Sequence, residues 1–278
     1  MISIIIPFRD NVELLRQCVR SVLNMSIYRD FEVLLVDNRS VERETQDYLA
    51  EVGKLENVRV LRYPHPFNFS ALNNFAAREA KGEFLLFLNN DTKVISPDWM
   101  ERMLECFEES TLLEKPPRRP NGTPPQEGNG CEIGVVGAKL LYPNKTIQHA
   151  GVEIRNGEAV HAFGKQPDSS DPNEGFNQQR DCIAVTAACM MTRKSLFKEL
   201  GGFDEVNLSI AYNDVDYCLK VREKGLRVVY TPDAVLYHYE SVTRGRDILK
   251  RFFHRKRYAE FLRERAFLKN KWPRYFGS

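Results

Sequence analysis

Four short apolar runs near the start of the chain are separated by helical patterns, and this alternation constrains the fold more than any other feature. Ser3–Phe8 is a continuous β-branched run, suited to a strand buried on both faces. Asn11 is a candidate cap for a helix with Val12, Leu15, Val19, Val22 and Leu23 at helical spacing. Phe31–Val36 reads as a second strand and Val58–Tyr63 as a third. Ser70–Lys81 is an Ala-rich helix, closed by Gly82 at its C′ position, and Glu83–Leu88 is the fourth strand. Strands separated by helices imply βαβ units and a largely parallel sheet. Such sheets bind ligands beyond the carboxyl ends of their strands. Asp10, Asp37 and Asp91 all fall at or just past those ends.

The 278 residues suffice for one large α/β domain or two small ones. Hydrophobic content of 42% and charged content of 28% are those of a soluble globular protein. No apolar run approaches the ~20 residues of a membrane helix, and the N-terminus has neither a basic n-region nor a cleavage site. Six cysteines are scattered without a CxxC pair, which points to free buried thiols in a reducing cytosol. The net charge of +2 is unevenly placed. Residues 244–278 carry 12 Lys+Arg against 3 Asp+Glu, leaving 28 against 35 in residues 1–243. A mildly acidic body therefore carries a basic tail, a composition that attracts phosphates, anionic headgroups or nucleic acid.

Residues 111–130 hold five prolines and three glycines and read as a mobile surface loop. Beyond it, strands are expected at Ile133–Tyr142, Gly151–Ile154, Ala184–Thr192, Arg227–Tyr230 and Val235–Tyr239. A helix is expected at Asn213–Lys224, capped by Gly225. Residues 247–270 form a basic amphipathic helix with Leu249, Phe252, Phe253, Phe261, Leu262 and Leu268 on its apolar side. That helix suits either an anionic membrane surface or packing on the domain with a solvated outer face.

Three positions carry the chemistry. Asp91 closes the Glu83–Leu88 strand as Asn89-Asn90-Asp91, Asp214 opens the Asn213 helix, and His238 lies in the aromatic run Val235–Tyr239. A strand-end carboxylate with an imidazole suits a hard divalent cation, and a helix-start carboxylate suits a base. Each also has a bland reading: a turn residue for Asp91, a satisfied core histidine for His238, and a macrodipole-stabilised carboxylate for Asp214.

The chain resembles family 2 glycosyltransferases of the GT-A fold. The resembling segments are Ser3–Phe8, Val36-Asp-Asn-Arg-Ser40, Asn74 with Gly82-Glu83, Phe87-Leu-Asn-Asn-Asp91, Gly137–Tyr142, Gln148-His-Ala-Gly151, Gly201-Gly-Phe-Asp-Glu205, Tyr212-Asn-Asp-Val-Asp216 and His238–Gly245. Each alone is weak; their order and spacing together are specific. The resemblance is strongest to bacterial rhamnosyltransferase-like enzymes of O-antigen and cell-wall polysaccharide assembly. It implies an α/β, Rossmann-like fold with a mixed, mostly parallel central sheet flanked by helices. One GT-A domain would span 1–278: a donor half at 1–110, the Pro-rich loop at 111–130, an acceptor half at 131–243 and the basic helix at 244–278. The acidic DxD-type motif of the family appears here as Asn89-Asn90-Asp91, and no clear QxxRW motif is present; Phe267–Trp272 is a faint echo of it.

By this resemblance the chain is a hexosyltransferase-class enzyme. It would move a sugar, rhamnose or another hexose, with inversion from a UDP- or dTDP-linked donor to a saccharide or lipid-linked acceptor. Asp214 would be the base. Asp91 and His238 would hold Mn²⁺ or Mg²⁺. Pro7, Phe8, Asp10, Asp37, Asn74, Arg78, Asn90, Asp91 and Arg244 would bind the donor nucleotide, and His149 and Asp216 would border the acceptor. The expected location is cytoplasmic, with peripheral contact at the inner face of the membrane as an open alternative. The main rival is a catalytically weak nucleotide-sugar-binding module of a larger synthase, suggested by the reduced acidic motif. Nucleic-acid binding lacks any motif beyond the basic tail, and a two-metal phosphohydrolase would need more ligands than one Asp and one His.

Overall fold

The computed structural model describes residues 1–112, 132–239 and 250–277, with side chains in 1–108, 132–239 and 258–277. The first half alternates β1 (Ile2–Phe8), α1 (Val12–Met25), β2 (Phe31–Asp37), α2 (Arg43–Val52), β3 (Val58–Arg62), α3 (Phe69–Glu79) and β4 (Phe84–Leu88). A short β5 (Thr92–Val94) and α4 (Trp99–Leu112) follow. The second half contains β6 (Ile133–Leu141), β7 (Ile147–His149), β8 (Val152–Arg155), β9 (Glu158–His161), β10 (Arg180–Asp181) and β11 (Cys189–Arg193). After these come α5 (Lys194–Glu199), α6 (Asn213–Glu223), β12 (Arg227–His238), α7 (Lys250–Lys271) and α8 (Pro273–Phe276).

The main sheet runs β10-β12-β6-β11-β4-β1-β2-β3. The β3-β2-β1-β4 block is parallel throughout, and β6 and β12 are parallel to each other. Between these blocks β11 is antiparallel to both β4 and β6. The strands bury alternate residues in two cores, as the two-residue period of a strand requires. Ile4, Ile6, Val33, Leu35 and Leu86 join α1, α2 and α4 on one face, while Ile5, Leu34, Leu85 and Phe87 join α3 and α6 on the other. This is why the strand sequences are continuously apolar. Each such side chain contributes roughly 1.5–3 kcal/mol by leaving water.

Several sequence expectations change. Gly82 does not cap α3, which ends at Ala80 in an extended conformation. Its role is close approach: a Cβ there would lie 2.6 Å from the Ser3 nitrogen, and its own N–H donates to Ser3 Oγ at 2.8 Å. Asn11 precedes α1 in a left-handed conformation without a side-chain capping bond. The expected strand Ala184–Thr192 begins only at Cys189, and Ala184–Ala188 is a buried connecting segment apart from Thr186. Arg227–Tyr230 and Val235–Tyr239 are one strand with a register shift between Thr231 and Val235. Gly225 does follow α6 at a φ of +77°.

Five cysteines (18, 106, 182, 189 and 218) are free and buried, and burial pushes the Cys18 thiol up to about 12. The first two residues of the expected Pro-rich loop, 111 and 112, end α4; its residues 113–130, Cys131 and Leu249 lie outside the described residues, as do the side chains of Phe252 and Phe253. The described part of α7 packs on the domain. Leu268 is buried, the Phe261 ring lies 5.3 Å from that of Tyr212, and Leu262 is partly exposed. Arg265 Nε donates to Glu158 Oε2 at 2.7 Å, and Lys269 joins the same carboxylate. Hydrogen bonds from Arg265, then Lys269, hold the Glu158 carboxyl down at about 2. Among the described residues no helix is long and apolar enough to cross a membrane.

Gly82→Ala should force β1 and the α3–β4 turn apart, a cost of about 1–3 kcal/mol. The expected result is a melting temperature lower by several degrees; thermal denaturation checks it, and an unchanged midpoint would contradict the close-approach role.

Candidate active site

The apolar run of β4 ends in a tight turn. Thr92 donates to the Asn89 carbonyl from both its N–H (3.3 Å) and its hydroxyl (2.8 Å). The turn reverses the chain into β5, which pairs with the end of β12 so that Thr92 faces His238. Tyr239 N–H then donates to the Asp91 carbonyl at 2.8 Å. Two segments almost 150 residues apart in sequence thereby meet at one point. Asp91 Oδ1 lies 3.1 Å from His238 Nε2, and both residues are buried.

Gln148 on β7 fixes the imidazole. Its Oε1 is 2.7 Å from His238 Nδ1, and its amide nitrogen donates to the His238 carbonyl at 3.4 Å. An amide oxygen only accepts, so this contact puts a proton on Nδ1; in the neutral ring the Nε2 lone pair then faces Asp91. Asn89 Nδ2 also lies 3.3 Å from Nε2. A carboxylate oxygen and an imine-type nitrogen side by side form a donor set for a hard-to-borderline divalent cation. Ligands at about 2.1 Å on adjacent corners of an octahedron sit roughly 3 Å apart, which is the separation of these two atoms. The pair is spaced to supply two adjacent ligands, although among the described residues no group of three or more His, Cys, Asp or Glu could hold a metal ion; with His238 as a ligand, Gln148 would be the outer contact that orients it. The sequence placed Gln148 in a resembling segment without giving it a role.

Asp214 approaches from the other half. Tyr212 takes a left-handed φ of 59° and turns the chain into α6. Asp214 sits half-buried in the first turn, where backbone dipoles favour an anion. Its Oδ2 accepts from Ala187 N–H at 3.1 Å and its Oδ1 from Val215 N–H at 2.8 Å. The next residue of that connecting segment, Ala188, accepts from Asn89 N–H at 3.1 Å. A continuous backbone link thus joins the Asp214 carboxylate to the end of β4 and the Asp91–His238 pair.

The profile of glycosyl transferase family 2 matches residues 3–201, which span β1 through α5. The chain belongs to glycosyl transferase family 2. It is 39% identical over 278 residues to uncharacterized protein y4gI of Sinorhizobium fredii, covering 98% of this chain and 27% of the relative. It is also 39% identical over 251 residues to O-antigen biosynthesis protein RfbC of Myxococcus xanthus, covering 89% of this chain and 18% of the relative. The chain therefore spans about a quarter or less of the length of these two relatives. Among solved structures, GalNAc-T7 with UDP, GalNAc and Mn²⁺ superposes with a TM-score of 0.65 at 16% identity, covering 86% of this chain and 44% of that one. That likeness shows the GT-A fold.

The other expected site residues of this family 2 domain divide into two groups. Asp37 ends β2 buried, with Oδ1 accepting from Ser40 N–H at 2.9 Å and Oδ2 against Arg62. Pro7 and Phe8 end β1 beside it, with the Phe8 carbonyl accepting from Asn38 N–H at 2.9 Å. Asn90 and Arg78 have solvent access. Pro7, Phe8, Asp37 and Asn90 share the carboxyl edge of the sheet. Arg78 does not: it stands in the last turn of α3, whose continuation takes Lys81 N–H to Glu32 and Gly82 N–H to Ser3 at the amino ends of β2 and β1, so the structure does not bring it to the expected donor edge. Arg244 lies outside the described residues. Asp10 is occupied structurally: its Oδ1 accepts from Val41 and Glu42 N–H at 2.8 and 3.0 Å at the start of α2. Asn74 is occupied too. It exchanges both its amide bonds with the Phe203 backbone (2.9 and 3.0 Å) and so pins the Gly201–Glu205 segment to α3.

The two acceptor-side expectations give way to support roles. His149 is fully buried, and its Nε2 accepts from Gly151 and Thr186 N–H at 3.3 and 3.4 Å, beneath the segment that holds Asp214. Burial, then His161 and Arg180, pushes its pKa well below the usual histidine range. Asp216 is also fully buried; its Oδ1 accepts from Trp272 Nε1 at 2.8 Å and pairs with Lys271 Nζ at 2.7 Å. An acceptor sugar reaches neither side chain.

Gln148→Ala should free the His238 ring and weaken Mn²⁺-dependent binding of UDP by about 10–100-fold. Isothermal titration with and without Mn²⁺ measures this; equal metal dependence in the variant and the parent would remove Gln148 from the site.

Proposed function

We propose that this domain transfers a sugar, with inversion, from a nucleoside-diphosphate donor to a saccharide or lipid-linked saccharide acceptor. The observation that supports the reading is the backbone connection from the Asp214 carboxylate through Ala187 and Ala188 to Asn89 and so to the segment that carries the Asp91–His238 pair. Asp214 takes the acceptor hydroxyl proton as that oxygen attacks the anomeric carbon. The new carbon–oxygen bond forms on the face opposite the departing diphosphate, which leaves with the electron pair of the broken bond. One base and one displacement give inversion. Asp91 Oδ1 and His238 Nε2 would hold Mn²⁺ or Mg²⁺, which supplies positive charge for the leaving diphosphate. Asp37 and the Pro7-Phe8 backbone would receive the nucleoside.

UDP and Mn²⁺ are named for the GalNAc-T7 structure and O-antigen biosynthesis for the Myxococcus relative. They support a nucleoside-diphosphate sugar as donor and a polysaccharide intermediate as acceptor; a UDP- or dTDP-linked hexose or deoxyhexose, rhamnose included, is the donor we propose.

Asp214→Asn keeps the size of the side chain and removes the base, at the cost of one of the two backbone hydrogen bonds the carboxylate accepts. It should lower transfer by about 10²–10⁴-fold while the thermal shift given by UDP or dTDP with Mn²⁺ stays at the parent value. Transfer at the parent rate would eliminate Asp214 as the base.

A further inference from the structure

Glu264 lies on α7, fifty residues beyond Asp214, yet it is only 3% exposed. Its carboxylate is enclosed by the segment that leads into α6. Oε1 accepts from Ser209 N–H at 2.8 Å, Ser209 Oγ at 2.7 Å and Ile210 N–H at 3.1 Å, and Oε2 accepts from Ala211 N–H at 2.7 Å. Three successive backbone donors converging on one carboxylate form an anion nest with the ligand built into the chain. Bonds to an ionised acceptor are about twice as strong as neutral ones, and a buried N–H left without a partner is costly. The backbone of 209–211 is thus fixed from α7.

The other side of the same segment is fixed from α3. The Ser209 carbonyl accepts from Phe69 N–H at 2.7 Å, and Asn68 Nδ2 donates to the Glu205 carbonyl at 2.8 Å. The next residue, Tyr212, holds the left-handed turn that starts α6, and the Asp216 N–H closes that first turn on the Tyr212 carbonyl at 2.9 Å. Asp214 lies inside this turn. Tyr212 has no side-chain capping bond to α6; the first turn is held by its entry through residues 209–211 and, further along, by the Asp214–Ala187 and Asp216–Trp272 bonds.

We propose that Glu264 is a positioning residue for Asp214: it clamps residues 209–211 and thereby sets the turn that aims the carboxylate. The proposal rests on the reading of Asp214 as the base. It makes the C-terminal helix part of the reaction machinery, acting through residues 209–211. Misplacement of a reacting group by about 1 Å costs on the order of 100-fold in rate, so a small loosening of this turn is enough to matter.

Three variants of the full chain test it. Glu264→Ala removes the clamp, Glu264→Gln keeps one accepting oxygen, and Glu158→Gln weakens the docking of α7 through Arg265 and Lys269 without touching residues 209–211. Hydrogen exchange needs no donor sugar. In Glu264→Ala the amides of 209–216 should exchange about tenfold faster or more, whereas Glu158→Gln should leave them protected. Nucleoside diphosphate release from UDP-glucose, dTDP-rhamnose or GDP-mannose, whichever the parent turns over, gives the kinetic readout. Glu264→Ala should lower kcat about 10–100-fold with KM for the donor and the UDP–Mn²⁺ thermal shift unchanged, and Glu264→Gln should recover part of the loss. Unchanged exchange at 213–216, or a kcat no lower than that of Glu158→Gln, overturns the proposal. Asp214→Asn run alongside separates the two readings: its turnover at the parent rate defeats the base itself, whereas its loss with Glu264→Ala fully active defeats only the clamp.

Discussion

The antiparallel insertion of β11 between β4 and β6 is the constraint on which the site depends. It brings residues 187 and 188 to the end of β4, where the Ala187 N–H faces Asp214 and the Ala188 carbonyl faces Asn89. Without it the two parallel blocks would have no reason to keep a fixed spacing, and the carboxylate of α6 would have no fixed relation to the Asp91–His238 pair. The link is made by backbone groups, which explains why residues as plain as alanine occupy it. Small side chains at 187 and 188, both buried, let the peptide pass between a helix terminus and a strand terminus.

Much of this architecture is legible in the sequence because its strands are buried on both faces and therefore continuously apolar. Ile4, Ile5 and Ile6 serve two different cores, so the run shows no alternation, and its neighbours Phe31–Asp37 and Phe84–Leu88 repeat the pattern. The elements that escaped are short or amphipathic. β5 and β7 have three residues each, too few for any period, although they carry the turn beside Asp91 and the residue that orients His238. Ala184–Ala188 reads as strand because it is apolar and buried, but burial here comes from packing under the site, and periodicity cannot distinguish the two.

The candidate site divides in the same way. Asp91, Asp214 and His238 stand at element ends, where a lone polar group after an apolar run or at a helix start is conspicuous. Gln148, Ala187 and Glu264 act through partners distant in sequence, and nothing local distinguishes them. Asp10, Asn74, His149 and Asp216 show the converse: their positions resemble site positions, yet their polar atoms are engaged by backbone or by buried partners. A polar residue near a site can belong to its frame or to its surface, and hydrogen-bond partners alone do not decide between the two, since Asp214 also accepts from backbone N–H groups.

The central claim is that Asp91 and His238 together form the metal-dependent half of a donor site. The most direct measurement is the thermal shift of the parent protein and of Asp91→Ala with UDP, dTDP and GDP, each with and without Mn²⁺. A nucleotide at ~100 times its dissociation constant adds ~2.7 kcal/mol, several degrees for a chain of this size. The account predicts a shift with one nucleotide that requires Mn²⁺ in the parent and disappears in Asp91→Ala. A shift of equal size without Mn²⁺, or one that survives Asp91→Ala, would contradict it.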